Sequence, residues 1–203
     1  MESYGAFKTF PILSTARCLL VEPKNDHATD LFKIFGDHET MAYMQSPPVT
    51  RLEQCAEMLT EWHTDYEDSK AVRWAIIQKE DTDTCIGVMA LHYWSRENRR
   101  IEIGAYVKKA YWGQGYAREV TAPVIDFAFT VLNINRLELR CDPRNTASTV
   151  IAANFGMTFE GILHEHVFVE DTGFVDEAVY ALLKKNYLKT LPASDNNTKK
   201  QEE

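Results

Sequence analysis

Short apolar segments separated by polar turns occupy the first half of the chain. Residues 71–78, 84–94 and 99–108 are rich in β-branched and aromatic side chains, and the turns KEDTD and SREN lie between them. Residues 16–23 have the same character. The pattern predicts four strands, of which the last three form an antiparallel meander.

Apolar residues spaced three or four apart indicate helices in other segments. One such segment lies at residues 25–36. A second, over residues 50–68, begins with Thr50 and Glu53, which form the capping-box pattern. Both segments are therefore predicted to be helices with one apolar side.

A strand, a helix and a second strand follow one another between residues 101 and 141. The helix is predicted over residues 114–132, despite Pro123, and the second strand over residues 136–141. This order of elements favours parallel strands joined by a right-handed crossover. The unit is therefore predicted to contribute one parallel pair to the sheet.

The last third of the chain is predicted to contain one helix and one hairpin. The helix covers residues 145–155, and the hairpin joins residues 157–169 to residues 174–187 through the turn EDTG. Residues 189–203 are polar and show no apolar period, which predicts a disordered tail. Residues 1–188 are then expected to form a single domain.

The composition is that of a globular protein, with 203 residues of which 45% are hydrophobic and 26% charged. No apolar run reaches the roughly 18–20 residues that cross a bilayer, and MESYGAFKTF lacks the basic start and apolar centre of a signal peptide. We therefore expect a cytoplasmic protein without a membrane partner. The four cysteines have no close spacing, which favours buried, reduced thiols over a zinc knuckle or a redox pair.

The formal net charge of −8 argues against broad, sequence-independent binding of nucleic acid, which needs a basic surface. The same charge is compatible with a cationic substrate. It is equally compatible with a role in solubility alone.

Two glycines one residue apart, Gly113 and Gly115, lie at the beginning of the helix predicted over residues 114–132. Glycine allows backbone conformations that other residues avoid and leaves N–H groups uncovered, so the amides up to Arg118 could form a concave set of donors at the positive end of the helix dipole. Such a set suits an anion, above all a pyrophosphate. It is neither a Walker loop, which needs Gly-Lys-Ser/Thr, nor the dinucleotide fingerprint, which needs a third glycine.

Three segments of the chain resemble the GNAT acyltransferases, in particular the RimJ/RimL-type branch that acetylates protein N-termini and small amines. They are IEIGAYVKKAYWGQGYARE at 101–119, NRLELRCDPRNTASTVIAANFGM at 135–157 and EGILHEHVFVEDTGFVDEAVYALL at 160–183. A weaker likeness lies in FGDHETMAYM at 35–44. Together they span about residues 16–188.

The resemblance implies an α/β GNAT fold. Its sheet is mixed, mostly antiparallel and seven-stranded, with a V-shaped split between strands 4 and 5 and helices on both sides. Acetyl-CoA is the implied cosubstrate, bound in the split, and no metal is required. Dimerisation is frequent in this branch, so a homodimer also stays open.

The resemblance also assigns coenzyme contacts to particular residues. The pyrophosphate would lie on the amides of the glycine loop, the pantetheine arm would pair with the backbone of the strand at its open edge, and an asparagine after the next strand would complete the site. The residues concerned are Ala105, Tyr106, Val107, Gly113, Gln114, Gly115, Tyr116, Ala117, Arg118 and Asn145. The family pattern at the beginning of the loop has Arg or Gln, whereas this chain has Trp112.

Two residues are candidates for catalysis. Strand alternation places Glu102 on the opposite face from Ile101 and Ile103, and the resemblance makes it a general base; alternatively it is a solvent-facing strand residue. Ser148 would contact the coenzyme or protonate the leaving thiolate, or would simply cap a helix. The tyrosine acid of many family members is replaced by Ala152.

The acceptor is expected to be a primary amine, with a protein or peptide N-terminal α-amine first, and a polyamine, antibiotic or toxin as alternatives. A non-catalytic acyl-CoA sensor and a nucleotide-binding regulator are rival functions. His164 and His166 should share a strand face and could form a metal pair, but no third ligand is evident.

Overall fold

Eight strands form one mixed sheet in the order β1-β2-β3-β4-β5-β6-β8-β7. The computed structural model describes residues 9–170 and 172–190. The strands are β1 (Leu13–Ser14), β2 (Cys18–Val21), β3 (Val72–Gln78), β4 (Cys85–Ser95), β5 (Arg100–Val107), β6 (Arg136–Cys141), β7 (Thr158–Val169) and β8 (Gly173–Leu183). The helices are α1 (Ala28–Phe35), α2 (His38–Met41), α3 (Leu52–Glu67), α4 (Tyr116–Thr130), α5 (Thr146–Asn154) and α6 (Lys184–Thr190).

Helices cover both faces of the sheet because β3 and β4 are apolar on both sides. Ala75 and Ile77 belong to a core formed with α1 and α3. Their neighbours Trp74 and Ile76 point the other way, into a core formed with α4. The central strands are therefore buried between two layers of helices, which makes them a rigid support for whatever lies at their ends.

The predicted antiparallel meander and the parallel pair are both confirmed. β3, β4 and β5 pair antiparallel in sequence order. β5 and β6, which α4 connects in the sequence, pair in parallel. The predicted GNAT fold with its mixed, mostly antiparallel sheet is therefore correct.

The number of strands differs from the prediction by one. The eighth strand is β1, in which two residues pair with the far side of β2. It was missed because a two-residue strand has too few positions to show a period.

The prediction that the last hairpin strand runs to residue 187 is wrong. β8 ends at Leu183 and α6 begins at Lys184. The apolar residue Tyr187 looked like a continuation of the strand, but its ring stacks on Phe129 of α4 at a centroid distance of 4.6 Å. Positions 189 and 190 belong to α6, and the rest of the predicted tail lies outside the described residues.

The capping box of α3 uses a different residue from the predicted one. Oε1 of Gln54, rather than Glu53, accepts hydrogen bonds from the backbone N–H groups of Thr50 and Arg51 at 2.8 and 2.9 Å. Arg51 is the N-cap, one residue later than expected. The sequence offered two adjacent residues of capping type, and the helix begins in the register that uses the second.

Pairing between β5 and β6 stops after three residues. Arg100, Ile101 and Glu102 face Arg136, Leu137 and Glu138, whereas the remaining five residues of β5 have no partner on β6. On its other side, β5 stays paired with β4 up to Val107. This divergence corresponds to the predicted split, which opens towards the carboxyl ends of both strands.

The helices described over residues 9–170 and 172–190 include none long and apolar enough to cross a bilayer.

Gly87 of β4 permits the close approach of β5, and its replacement tests this. A Cβ at residue 87 would lie 2.4 Å from the carbonyl oxygen of Tyr106 and 3.2 Å from Cα of Val107. We expect Gly87→Ala to lower the free energy of unfolding by about 1–3 kcal/mol because backbone must move. Urea denaturation measures this, with Gly104→Ala as the control.

In that control, the added Cβ would meet only the His92 ring, at 3.3 Å. A loss for Gly104→Ala equal to that for Gly87→Ala would contradict the close-approach explanation.

Candidate functional site

The open edge of β5 presents backbone groups to the split. Lys108 N–H donates to the Ile86 carbonyl on the β4 side, and the Arg99 carbonyl accepts from Asn135 on the β6 side. Because antiparallel pairing uses alternate residues, the even positions of β5 bond to β4 and the odd positions face β6. Of the three predicted residues, Ala105 and Val107 therefore face the split, whereas the backbone of Tyr106 is paired with β4.

Trp112 forms a hydrogen bond with one of these backbone groups. Its indole Nε1 donates to the Val107 carbonyl at 2.6 Å. The Val107 N–H and both groups of Ala105 remain directed at the split. The residue that departs from the family pattern thus closes the end of β5 and begins the glycine loop.

Both glycines of the loop have left-handed backbone conformations. Gly113 has φ +71° and Gly115 has φ +81°. Gly115 is the N-cap of α4, which starts at Tyr116. A side chain at either position would be strained, so the predicted role of glycine as a conformational requirement fits the geometry.

The first turn of α4 has the properties of an anion site. Among the described residues, no side chain caps the helix, so the leading N–H groups are left for another acceptor. Arg118 is exposed in this turn, where the helix dipole disfavours a cation unless an anion is nearby. The loop and the turn therefore fit a phosphate-bearing ligand.

The second helix at the split, α5, is capped by Asn145. Its side-chain oxygen accepts from the Ser148 N–H at 3.1 Å, and the residue is 7% exposed. The capping role considered for Ser148 therefore belongs to Asn145. β5 and β6 are parallel and α4 and α5 follow them, so both helices begin at the open end of the split.

Ser148 faces the end of β6. Burial raises the pKa of the Cys141 thiol to about 11, although a hydrogen bond with the Ser148 side chain opposes the rise. Cys141 is buried like the other three cysteines, all of which are unpaired thiols as predicted. Ala152, further along α5, is fully buried and so cannot present a group to the split.

Glu102 is the last residue of β5 that pairs with β6, so its carboxyl group lies where the strands begin to separate. Its side chain is 13% exposed. Burial raises its pKa to about 7; Arg140 and Arg100 oppose the rise, and Glu138 and Glu177 add to it. The alternative of a solvent-facing residue is therefore wrong, and Glu102 can exchange a proton at neutral pH.

Arg140 holds three carboxylates beside the split. It lies 3.4 Å from Glu102, 3.0 Å from Glu138 and 3.3 Å from Glu177. Burial opposes ionisation of Glu138, but hydrogen bonds from Arg136 and Arg140 lower its pKa. The charge of Arg140 lowers the pKa of Glu102 by less than burial raises it, so this pKa stays at about 7.

Sequence reasoning missed this network. Arg136, Glu138 and Arg140 alternate along β6, so a shared face could have been read from the sequence. Their partners on β5 and β8 depend on the strand register, which the sequence does not give.

β4 has a bulge directly after the residue that lies opposite Glu102. The pairing of β4 with β5 shifts between His92 and Ser95, and Tyr93 has φ +50° and is 71% exposed. His92 is opposite Glu102, and burial, together with Arg73, lowers its pKa to about 4. His92 is therefore neutral at pH 7, and the strained backbone at Tyr93 presents its ring to solvent.

Strand alternation predicts that His164 and His166 share a face, but the two histidines lie beside different carboxylates. His164 lies 3.0 Å from Asp176, and His166 lies 3.7 Å from Glu177. Asp176 and Glu177 are consecutive residues of β8 and therefore point to opposite faces, and so do the histidines beside them. The pairing of β7 shifts between Leu163 and Val167, where Glu165 has φ +50°. Within residues 9–170 and 172–190, no three His, Cys, Asp or Glu side chains cluster as a metal site.

Comparison with known proteins agrees with this geometry. Residues 17–158 match the family model described as acetyltransferase (GNAT) domain. The chain is 32% identical over 175 residues to the uncharacterized N-acetyltransferase p20 of Bacillus licheniformis, covering 86% of this chain and 97% of the relative. Identity with the uncharacterized N-acetyltransferase YoaA of Bacillus subtilis (strain 168) is 29% over 175 residues, 86% of this chain and 98% of the relative.

Solved structures share the fold. Spermidine N-acetyltransferase from Vibrio cholerae, in complex with CoA and spermine, superposes with a TM-score of 0.73 at 19% identity, over 84% of this chain and 98% of that one. A provisionally named ribosomal-protein-serine acetyltransferase from the same organism gives a TM-score of 0.73 at 20% identity, over 86% and 99%. At these identities the likeness shows the fold alone.

The raised pKa of Glu102 predicts a pH-dependent cost to stability. An unfolded glutamate ionises near its ordinary pKa of 4.5, whereas folded Glu102 ionises at about 7. The folded state therefore binds more protons between these values, and the cost grows as pH rises and is complete above pH 7. We expect Glu102→Gln to raise the free energy of unfolding by about 2–3 kcal/mol at pH 8 and by much less at pH 5.

Urea denaturation at the two pH values measures this difference. Glu160→Gln is the matched control, because the hydrogen bond from Arg136 lowers the pKa of Glu160. That variant should lose stability at pH 8. A gain for Glu102→Gln that is equal at both pH values would contradict the shifted pKa.

Proposed function

The chain belongs to the acetyltransferase (GNAT) family, and from that premise we propose that it acetylates a primary amine, with a protein or peptide N-terminal α-amine as the acceptor. Acetyl-CoA is the donor. It supplies the acyl group as a thioester, which is already activated towards attack by an amine.

The observation that carries this proposal is the carboxyl group of Glu102. It is buried at the point where β5 and β6 separate, and its pKa of about 7 lets it accept a proton near neutral pH. A protein that only bound the coenzyme would gain nothing from this group, because a buried carboxylate costs stability. Its presence favours an enzyme over the sensor.

The coenzyme contacts follow from the loop and the strand edge. The amides from Gly113 to Arg118 would hold the pyrophosphate, with the positive end of α4 directed at it. The free backbone groups of Ala105 and Val107 would pair with the amide-containing arm of the donor, as an added strand does at a sheet edge. Asn145, which fixes the start of α5, would border the other side of the split.

Glu102 would take the proton that the attacking nitrogen loses as the new C–N bond forms, either directly or through one water. The C–S bond then breaks, and the thiolate needs a proton. Ser148, at the start of α5 and beside Cys141, is the candidate to pass this proton on from a water molecule, so that its own hydroxyl group is restored. The two proton transfers thus involve opposite sides of the split.

The charges beside Glu102 favour a peptide over a polyamine as the acceptor. A polyamine needs carboxylates that are free to pair with its extra ammonium groups. Here Glu138 and Glu177 are at most 6% exposed, and both are paired with Arg140. A peptide needs only one neutral amine, and its carbonyl groups can accept hydrogen bonds from arginine.

Small amines remain the second candidate, since one structural neighbour is a spermidine N-acetyltransferase and the chain carries a net charge of −8.

Intact-mass analysis of acceptors incubated with acetyl-CoA tests the proposal. A set of peptides that differ in their first residue should gain one acetyl group at the α-amine, and peptides with a blocked N-terminus but a free lysine should gain none. Spermidine and an aminoglycoside serve as small-amine arms. Acetylation of the small amines alone would show that the acceptor is a small amine. Coenzyme binding without transfer to any amine would indicate a non-catalytic acyl-CoA sensor.

The pH dependence of turnover tests Glu102 as the base. With its pKa of about 7, the wild-type rate should rise through pH 7 as the carboxyl group ionises. We expect Glu102→Gln to lower kcat by about 10²–10⁴-fold above pH 8 and to lose this rise, so that the two proteins converge at low pH. A variant that keeps the wild-type profile would place the base elsewhere.

A further inference from the structure

We propose that Arg17 positions the glycine loop for the pyrophosphate by fixing the peptide bond between Gln114 and Gly115, and that Glu119 holds Arg17 in place. This inference rests on the proposed function, because it assigns a role at the same coenzyme site. Arg17 lies just before β2, 97 residues from Gln114, and belongs to none of the motifs that carry the family resemblance.

The contacts of Arg17 connect the start of β2 to the loop. Its Nη2 donates to the Gln114 carbonyl at 3.1 Å. Its Nε donates to Oε2 of Glu119 at 2.6 Å, and its backbone N–H donates to Oε1 of the same carboxylate at 2.8 Å. The Thr15 hydroxyl also donates to Oε1, at 2.6 Å. Glu119 therefore fixes both the backbone and the side chain of Arg17.

The planarity of the peptide bond turns this contact into a constraint on the anion site. In a trans peptide the C=O and the following N–H point in opposite directions. Because the Gln114 carbonyl is bound by Arg17, the Gly115 N–H must point away from Arg17. Gly115, with φ +81°, could otherwise turn its peptide plane at little cost, since glycine has no Cβ to oppose the change.

The guanidinium group is itself held from a second direction. It lies over the Tyr116 ring, 4.0 Å from the centroid. The Tyr116 hydroxyl in turn accepts a hydrogen bond from Gln78 of β3 at 2.7 Å. The orientation of one flexible peptide is thereby tied to the end of β3.

Replacement of Glu119 distinguishes the proposal from a purely electrostatic effect, because the two predict opposite changes in coenzyme affinity. A carboxylate in the first turn of α4 repels an anionic ligand, so electrostatics alone predicts that Glu119→Gln tightens coenzyme binding. The proposal predicts weaker binding instead, because loss of the contacts between Glu119 and Arg17 releases Arg17 and lets the Gln114–Gly115 peptide turn.

Isothermal titration of coenzyme A into the folded variants, well below their melting temperatures, measures the effect. We expect Arg17→Gln to weaken binding about tenfold and Glu119→Gln to weaken it by a similar factor. Arg17→Lys should lose nearly as much as Arg17→Gln, because one ammonium cannot reproduce the guanidinium fork that reaches both Gln114 and Glu119.

Lys79→Gln is the matched control. It removes one positive charge from the same neighbourhood, where Nζ donates to the Thr15 carbonyl at 2.5 Å, but it leaves the loop untouched. Its coenzyme affinity should stay within about twofold of the wild type, since the charge is exposed and screened. The same titrations with 3′-dephospho-coenzyme A test whether Arg17 instead contacts the 3′-phosphate directly. A loss of affinity caused by the loop should be equal for both ligands.

Tighter binding by Glu119→Gln, full retention of affinity by Arg17→Lys, or a loss confined to the ligand with the 3′-phosphate would each overturn the inference. Wild-type protein that binds coenzyme A and acetylates no amine would contradict the proposed function, while the binding losses would still support Arg17 as a positioning residue. Wild-type protein that binds neither ligand would overturn both.

Discussion

The structure depends on the point at which two parallel strands stop pairing. β5 and β6 share three pairs and then separate, while β5 remains paired with β4 up to Val107. A strand bonded on one side only must present alternate amides and carbonyls on the other, and water or a ligand has to satisfy them. The same separation brings the beginnings of α4 and α5 to one opening. A recognition edge and a pair of helix N-termini therefore arise from a single interruption of the sheet.

The carboxyl group at this point has an unusual state because its surroundings are arranged unequally. Arg140 makes its shorter contacts with Glu138 and Glu177, whereas its contact with Glu102 is 3.4 Å long. Against the effect of burial, hydrogen bonds from Arg136 and Arg140 lower the pKa of Glu138, whereas burial raises the pKa of Glu102 to about 7. The pKa of Glu102 is in this sense set by burial and by the charges of its neighbours.

Features within one segment of the chain were predictable, and features that join distant segments were not. The spacing of Gly113 and Gly115 predicted their unusual backbone conformation. Strand alternation and the family resemblance singled out Glu102 as a candidate site residue. The contact of Arg17 with Glu119 joins residues that are 102 apart, and the sharing of Arg140 depends on the register of three strands. No local pattern encodes either of them.

The bulges are a further feature of the sheet that sequence alternation does not predict. One inserted residue changes which side chains share a face, so strict alternation failed at His164 and His166 and gave no sign of Tyr93. One irregularity lies in β4, the neighbour of β5, and the other lies in β7, at the edge of the sheet.

The burial of Cys141 has a consequence for a protein that handles a thioester. Acyl groups exchange between sulfur atoms through the thiolate, and a thiol with a pKa of about 11 is ionised to only about one part in ten thousand at pH 7. The sulfur at the end of β6 is thus a poor acceptor for an acyl group, although it lies beside Ser148 at the opening. Self-acylation at this position is suppressed by the same burial that builds the core.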